Sequence, residues 1–186
     1  EAMGALQRGG KIRYWGLSNE TAWGIAAFSR TAQELGVPGP VTVQNGFNLV
    51  SRGAEYELAE TLYREHVSLL AYSPLGGGML TGKYLDGARP AGARFTEYTN
   101  FTARFGTPLA REAVDAYAAL ARQRGMSLAE LALGYVRSRW FVAATIVGVT
   151  SVDQLEANIA AARTALDAET LSGLAAIFER FPNPSA

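Results

Sequence analysis

Residues 71–84 read AYSPLGGGMLTGKY, and the fold turns on how this run is understood. It follows an apolar stretch, Val67 to Tyr72, that has the length and composition of a buried strand. The strand opens into a loop holding Gly76, Gly77, Gly78 and one cation, Lys83. Consecutive glycines let main-chain N–H groups approach an anion without interference from Cβ. A lysine at the end of the loop adds a mobile positive charge suited to a pyrophosphate. A glycine loop can also do no more than turn the chain, so its meaning depends on what stands at the ends of the other strands.

Outward from this run, strands and helices alternate. Lys11 to Leu17 is expected as a first strand and Val41 to Gln44 as a second. Val67 to Tyr72 is the third, and Ala143 to Val149 the fourth. A helix from about Thr21 carries Ile25, Phe28, Ala32 and Leu35 on one face and stops at Gly36. Ala54 to Glu65 reads as one helix with Leu58 and Leu62 inward. Thr107 and Pro108 form an N-cap and first position, followed by Leu109, Ala113, Tyr117 and Leu120 in register. Ser127 with Glu130, and Ser151 with Gln154, read as capping boxes. Behind them, Leu128, Leu131 and Tyr135, and then Leu155 and Ile159, are expected in the core. A last helix spans about Asp167 to Glu179, and the FPNPSA tail reads as a surface ending. The first ten residues look like the end of a helix stopped by Gly9 and Gly10, which suggests chain upstream.

Short links between strand and helix imply parallel strands with right-handed crossovers. The strands read as continuous apolar runs, as expected when helices cover the sheet. Two architectures fit: an open doubly wound sheet, or part of a (β/α)₈ barrel. No G-x-G-x-x-G fingerprint follows the first strand, which disfavours the open sheet. In either architecture, function gathers at the C-terminal ends of the strands. Ser18 and Asn19 stand at the first, Gln44, Asn45 and Asn48 at the second, Tyr72 and Ser73 at the third, and Gly148, Thr150 and Ser151 after the fourth. Side-chain amides and hydroxyls at Ser18, Asn19 and Gln44 suit an amide-bearing ligand, Tyr72 a flat heterocycle, and the helix start at Thr150 and Ser151 a phosphate. Each also has a plain reading: a helix cap, a core ring, a surface charge.

The bulk numbers exclude other classes. The 186 residues carry 17 basic and 17 acidic side chains, a formal net charge of zero, so nothing points to nucleic acid or an anionic membrane. No apolar run approaches the length of a membrane span. The absence of cysteine removes disulfides and thiolate chemistry, fits a reducing compartment and leads to the expectation of a cytoplasmic protein. With one histidine, His66, and scattered carboxylates, no metal constellation exists. His66 falls at a helix end, on the edge opposite the strand C-termini.

At this point four ordered segments, GKIRYWGLSN (10–19), VQNGFNLVSR (43–52), AYSPLGGGMLTGKY (71–84) and IVGVTSVDQLEANI (146–159), with ARPAGAR (88–94), resemble the C-terminal half of an aldo-keto reductase. The likeness covers nearly the whole chain and leans to the Tas-type branch, near the potassium channel β-subunits. It implies residues 1–186 as a partial (β/α)₈ TIM barrel, strands five to eight with their helices and the C-terminal helix, with the N-terminal half-barrel absent. It implies NADP(H) lying across the strand ends. Carried over, Ser18, Asn19 and Gln44 would hold the carboxamide, and Tyr72 would stack on the nicotinamide. Ser73, Pro74, Leu75, Gly76 and Gly77 would line the pyrophosphate, with Lys83 pairing its charge. Arg94, Gly148, Thr150 and Gln154 would surround the 2′-phosphate end and Asn158 the adenine. Ala157 departs from the pattern, since many relatives place Glu there.

The resemblance also implies what is missing. Family catalysis uses a Tyr tuned by Lys and Asp, with a His, all from the first four strands. Here the lysines are Lys11 and Lys83 alone, so no catalytic residue is assigned and the chain by itself is expected to be inactive. The complete protein would reduce a small carbonyl compound. The aromatic run Phe95, Tyr98, Phe101 and Phe105 suits an apolar one, or simply anchors the long loop. Two rivals stand beside the enzyme: a non-catalytic NADP(H)-sensing module resembling the channel β-subunits, and a scaffold that binds nothing. In the half-barrel reading the first and fourth strands would be open edges.

Overall fold

The computed structural model describes residues 1–98 and 102–185. Its centre is a four-stranded parallel sheet in the order β1 (Gly16–Ser18), β2 (Thr42–Gly46), β3 (Ser68–Tyr72), β4 (Val142–Ile146). Helices α1 (Ala2–Arg8), α2 (Ala22–Glu34), α3 (Gly53–Glu57) and α4 (Ala59–Arg64) lie between or before the first three strands. The long connection to β4 holds α5 (Arg94–Glu97), α6 (Thr102–Phe105), α7 (Pro108–Gln123) and α8 (Leu128–Ser138). Helices α9 (Val152–Ala162) and α10 (Ala168–Arg180) close the chain. Strand order equal to chain order, with a helix in every crossover, is the architecture of one side of a (β/α)₈ barrel and not of a doubly wound sheet.

The sheet is covered on one face. Val43, Leu69 and Ala71 are buried in a core shared with Ile25 of α2, Leu62 of α4 and Leu131 of α8. The alternate residues Gln44, Leu70 and Tyr72 are only half-buried. The helices expected to cover the sheet thus lie on one of its faces. An apolar run such as LLAY has one side in the helix layer and the other on a face that no described helix covers. Each fully buried leucine of the core contributes about 1.5–3 kcal/mol.

Local chemistry explains most element ends. Thr21, Thr107, Ser151 and Asp167 each accept from a backbone N–H three residues on, and Ser127 with Glu130 makes a full capping box. The Ser151 pair is only half a box. Gln154 turns its Oε1 to the Thr150 N–H (3.0 Å) and not to Ser151.

Several expectations are corrected. The first strand begins at Gly16, not Lys11. A Cβ at Gly16 would collide with Thr42, so pairing starts where the side chain vanishes, while the Trp15 indole N–H donates to the Pro38 carbonyl. The expected helix 54–65 breaks at Leu58 (φ −113°, ψ −29°) into α3 and α4, with Leu58 and Leu62 still buried. The fourth strand ends at Ile146, not Val149. Phe28, Leu35 and Leu109 are exposed although in register. So are Leu155 and Ile159, 41% and 48% accessible, in line with Val152 at 69%. That stripe on α9 has no partner among the described residues. The tail is not a surface ending: Phe181 and Ser185 are buried, and Ser185 donates to the Val50 carbonyl through both its N–H and its Oγ.

Candidate functional site

The C-terminal ends of the strands form one rim. In the sheet register Ser18 stands opposite Gln44, and Gly46 opposite Tyr72, which in turn faces Ile146. Past β1 the chain turns sharply at Asn19 (φ 52°), whose N–H donates to the Gln44 carbonyl (2.9 Å). The Asn19 side chain then accepts from the Tyr72 hydroxyl (2.8 Å) and donates to Ser18 Oγ (3.2 Å). Ser18, Asn19, Gln44 and Tyr72, drawn from the ends of three successive strands, are thus one linked polar row.

Two asparagines of the second strand end hold this row in place. Asn45 grips the turn after β1 by donating to the Glu20 carbonyl (3.0 Å) and accepting from the Glu20 N–H (3.2 Å). Asn48, fully buried, donates to the Ser73 carbonyl (3.0 Å) and accepts from the Val50 N–H (2.9 Å). Both amides bond to backbone through oxygen and nitrogen alike, which makes them fasteners of neighbouring loops.

After β3, Ser73 (φ 52°) and Gly76, Gly77 and Gly78 all adopt positive φ. The glycines are there for that backbone and for packing. A Cβ at Gly77 would come within 2.8 Å of the Phe95 ring. The Gly76 N–H donates to the Ser73 carbonyl and the Gly78 N–H to the Leu75 carbonyl, both at 2.9 Å, so two of the three glycine donors serve the turn itself. Lys83 folds back over this turn, its Cε 3.2 Å from the Cβ position of Gly78 and its ammonium 5.2 Å from the Tyr84 ring centroid. Phe95 and Phe105 are buried beneath the loop, so these two rings anchor it, whereas Tyr98 is 63% exposed. Phe101 lies outside the described residues.

Of the remaining expected residues, Gly148, Thr150, Gln154 and Asn158 follow β4 in the turn into α9 and on that helix, and Arg94 stands on the long connection before β4. Gly148 has open space where a Cβ would stand. The Thr150 N–H and hydroxyl both donate to Gln154 Oε1. Asn158 is half-buried one turn further along α9, and Arg94 opens α5. His66 lines a cavity of about 420 Å³ at the opposite edge, beside Arg13, Tyr14 and Glu65 and away from the rim.

A model of the aldo/keto reductase family matches residues 1–179. The chain belongs to the aldo/keto reductase family. It is 44% identical over 185 residues to Protein tas of Escherichia coli, matching all of this chain and 53% of that protein. It is 38% identical to an aldo-keto reductase of Babesia bovis over 86% of this chain and 58% of that one. A probable voltage-gated potassium channel subunit beta of Oryza sativa is 34% identical over 82% of this chain and 47% of its own length. The chain therefore spans about half the length of the curated relatives it matches. The four-stranded parallel sheet accords with half of an aldo-keto reductase (β/α)₈ barrel. No helix among the described residues is long and apolar enough to cross a membrane, and those residues hold no cluster of metal-ligating side chains.

Sequence reading missed a buried ionic cluster in this chain. Arg52, 7% exposed, pairs with Glu55 (2.7 Å) and lies against the rings of Phe178 (4.0 Å) and Tyr135 (4.8 Å). The Tyr135 hydroxyl donates to Glu55 (2.6 Å), and Arg139 reaches the same carboxylate (3.3 Å). Burial alone would raise the Glu55 pKa. The Tyr135 hydrogen bond and the two guanidinium charges outweigh it and hold it below the usual range. Burial pushes the nearby Tyr117 phenol up to about 12. The R-x-x-E spacing at 52–55 was the available signal, because residues i and i+3 share a helix face. The cluster ties the loop after β2 to α8, α10 and the tail, where Asn183 accepts from the Arg52 N–H (2.7 Å).

Proposed function

We propose that this chain is the NADP(H)-binding half of an aldo-keto reductase, which reduces aldehydes or ketones by hydride transfer when the barrel is complete. The carrying observation is the joined row Ser18–Asn19–Tyr72 beside Gln44, continuous with the glycine turn and Lys83. The residues fit the cofactor chemically. A half-buried phenol ring at the centre of the rim suits a flat pyridine ring, and the amides of Asn19 and Gln44 suit a carboxamide. When bound, NADPH supplies the hydride. In this reading Tyr72 is held edge-on by Asn19 and fixes which ring face is offered. Lys83 neutralises the pyrophosphate, and Gly148, Thr150, Gln154, Asn158 and Arg94 receive the adenosine end. Ala157 leaves one ribose or adenine hydrogen bond unmade, and Arg94 carries the preference for a 2′-phosphate.

The proton donor that a carbonyl needs as it becomes an alkoxide is assigned to the first half of the barrel. Neither lysine serves: Lys11 precedes β1 and Lys83 covers the glycine turn. The chain alone is accordingly read as inactive, with an N-terminal half-barrel as its partner and a cytoplasmic setting. Support for that partner comes from β1 and β4, each paired on one side only among the described residues, and from the bare α9 stripe.

The test is quenching of the exposed Trp23 by NADPH. Gln44→Ala and Lys83→Ala should each weaken binding about tenfold. Wild-type affinity in both variants defeats the assignment. A second reading, a module that senses NADP(H) without turnover, takes its support from the channel β-subunit relative. It predicts cofactor binding without carbonyl reduction even when the barrel is completed.

A further inference from the structure

We propose that Ser185 is a positioning residue for the glycine turn, and that through it segment 183–185 sets how tightly a cofactor pyrophosphate is held. This rests on the cofactor reading given above and adds to it a control of affinity from outside the rim.

The glycine turn needs support from its surroundings. Ser73, Gly76, Gly77 and Gly78 all have positive φ. Glycine enters that region freely and leaves it as freely, so the turn does not fix its own shape. A turn that fluctuates holds an anion less tightly than one already shaped, because only the competent fraction binds.

Segment 183–185 supplies that support along two arms. In the first, Ser185, 2% exposed, directs both its N–H (3.1 Å) and its Oγ (2.7 Å) to the Val50 carbonyl. Val50 is itself fully buried, and its N–H donates to Asn48 Oδ1 (2.9 Å). Asn48 Nδ2 donates in turn to the Ser73 carbonyl (3.0 Å), the same carbonyl that accepts from the Gly76 N–H (2.9 Å). A methyl of Val50 also lies 3.7 Å from the Cβ position of Gly76. In the second arm, the Pro184 carbonyl accepts from Thr107 Oγ1 (2.9 Å) at the N-cap of α7. Just before that cap, the buried Phe105 places its ring 3.4 Å from the Cβ position of Gly77. The two arms end on adjacent residues of the turn. Asn183 secures their common origin by accepting from the Arg52 N–H (2.7 Å).

Ser185 is too buried to touch a ligand, so its effect on the cofactor passes through Val50 and Asn48. Packing alone would be served by alanine at this position. The hydroxyl instead doubles the bond that the Ser185 N–H already makes, which holds the Val50 carbonyl in one direction.

The experiment is amide hydrogen exchange of the full chain, read beside titrations with NADPH and with adenosine 2′-monophosphate, which lacks the pyrophosphate. In wild type without nucleotide, the Ser185, Gly76 and Gly78 amides should share one urea dependence and open before the strands do. Saturating NADPH should slow the Ser185 amide about tenfold, because coupling between two sites is reciprocal. Ser185→Ala deletes the hydroxyl and keeps the N–H. It should speed exchange at Gly76 and Gly78 and weaken NADPH about fivefold, with affinity for adenosine 2′-monophosphate unchanged. Equal weakening of both nucleotides, or faster exchange throughout β2 and β3, would reduce Ser185 to a packing residue and overturn the proposal. So would a Ser185 amide that NADPH leaves unmoved, or turn amides that exchange in Ser185→Ala as in wild type. If Ser185→Ala does not fold, the wild-type exchange decides. If NADPH does not bind wild type, the cofactor reading fails, and the urea dependence of the three amides still decides whether Ser185 holds the turn.

Discussion

The Tyr72 hydroxyl donates to Asn19 Oδ1 over 2.8 Å, joining the end of β3 to the turn after β1 across the intervening strand. The bond sets the plane of the Tyr72 ring, because the phenol oxygen is tethered while the ring edge rests against Gly46. Removing the hydroxyl and removing the ring are therefore different experiments. Tyr72→Phe should cost about 0.5–1.5 kcal/mol of stability and leave stacking in place. Tyr72→Ala should in addition weaken NADPH binding by about 0.5–1.5 kcal/mol. Thermal unfolding and NADPH titration of the two variants separate the effects, and equal NADPH affinity in both would remove Tyr72 from the cofactor site.

Gly77 combines φ 67° with a Phe95 ring 2.8 Å from its Cβ position. Gly77→Ala must strain the backbone and displace the ring together. A loss of about 1–3 kcal/mol is expected, read as a lower urea midpoint. An unchanged midpoint would show that the loop has room to move.

Asn48 is fully buried with two hydrogen bonds to backbone, one across to Ser73. Asn48→Ala leaves the Ser73 carbonyl and Val50 N–H without that partner, at a cost of about 1–3 kcal/mol. Hydrogen exchange should accelerate in the glycine turn before it does in β2, because the clamp acts on the turn.

Glu55 ionises more readily in the fold than in the unfolded chain. A lowered folded pKa contributes stability that is complete above the unfolded value and is lost as pH falls through the folded one. Acid should therefore destabilise wild type below the ordinary glutamate range. Glu55→Gln should flatten that part of the stability profile and lower stability near neutrality by about 3 kcal/mol, since Arg52 is left buried opposite a neutral partner. A parallel pH profile in the two proteins would argue against the ionic cluster as the source.

Two open parallel edges and a bare α9 stripe give the half-barrel reading a physical consequence. The purified chain should self-associate in sedimentation, and an N-terminal half-barrel supplied in trans should suppress that and restore carbonyl reduction. A compact monomer that melts cooperatively without a partner would count against it.

Much of this was legible in the residues. Strand and helix periods, the caps at Thr21, Thr107 and Ser127 and the polar strand ends depend on neighbours a few positions apart, and local chemistry governs them. The parallel order followed from the alternation itself. What the chain order could not convey was which polar groups would be consumed by other backbone. Asn19, Asn45 and Asn48 look alike as amides at strand ends, yet one is joined to a ring and two are clamps for adjacent loops. Leu155 and Ile159 carry a core pattern and remain exposed, because burial needs a surface to meet and periodicity specifies only a face. The R-x-x-E spacing at 52–55 marks the Arg52–Glu55 pair, but tertiary structure alone decided the rest of the cluster. Tyr135, Arg139 and Phe178 join that pair from segments that only the folded chain brings within reach.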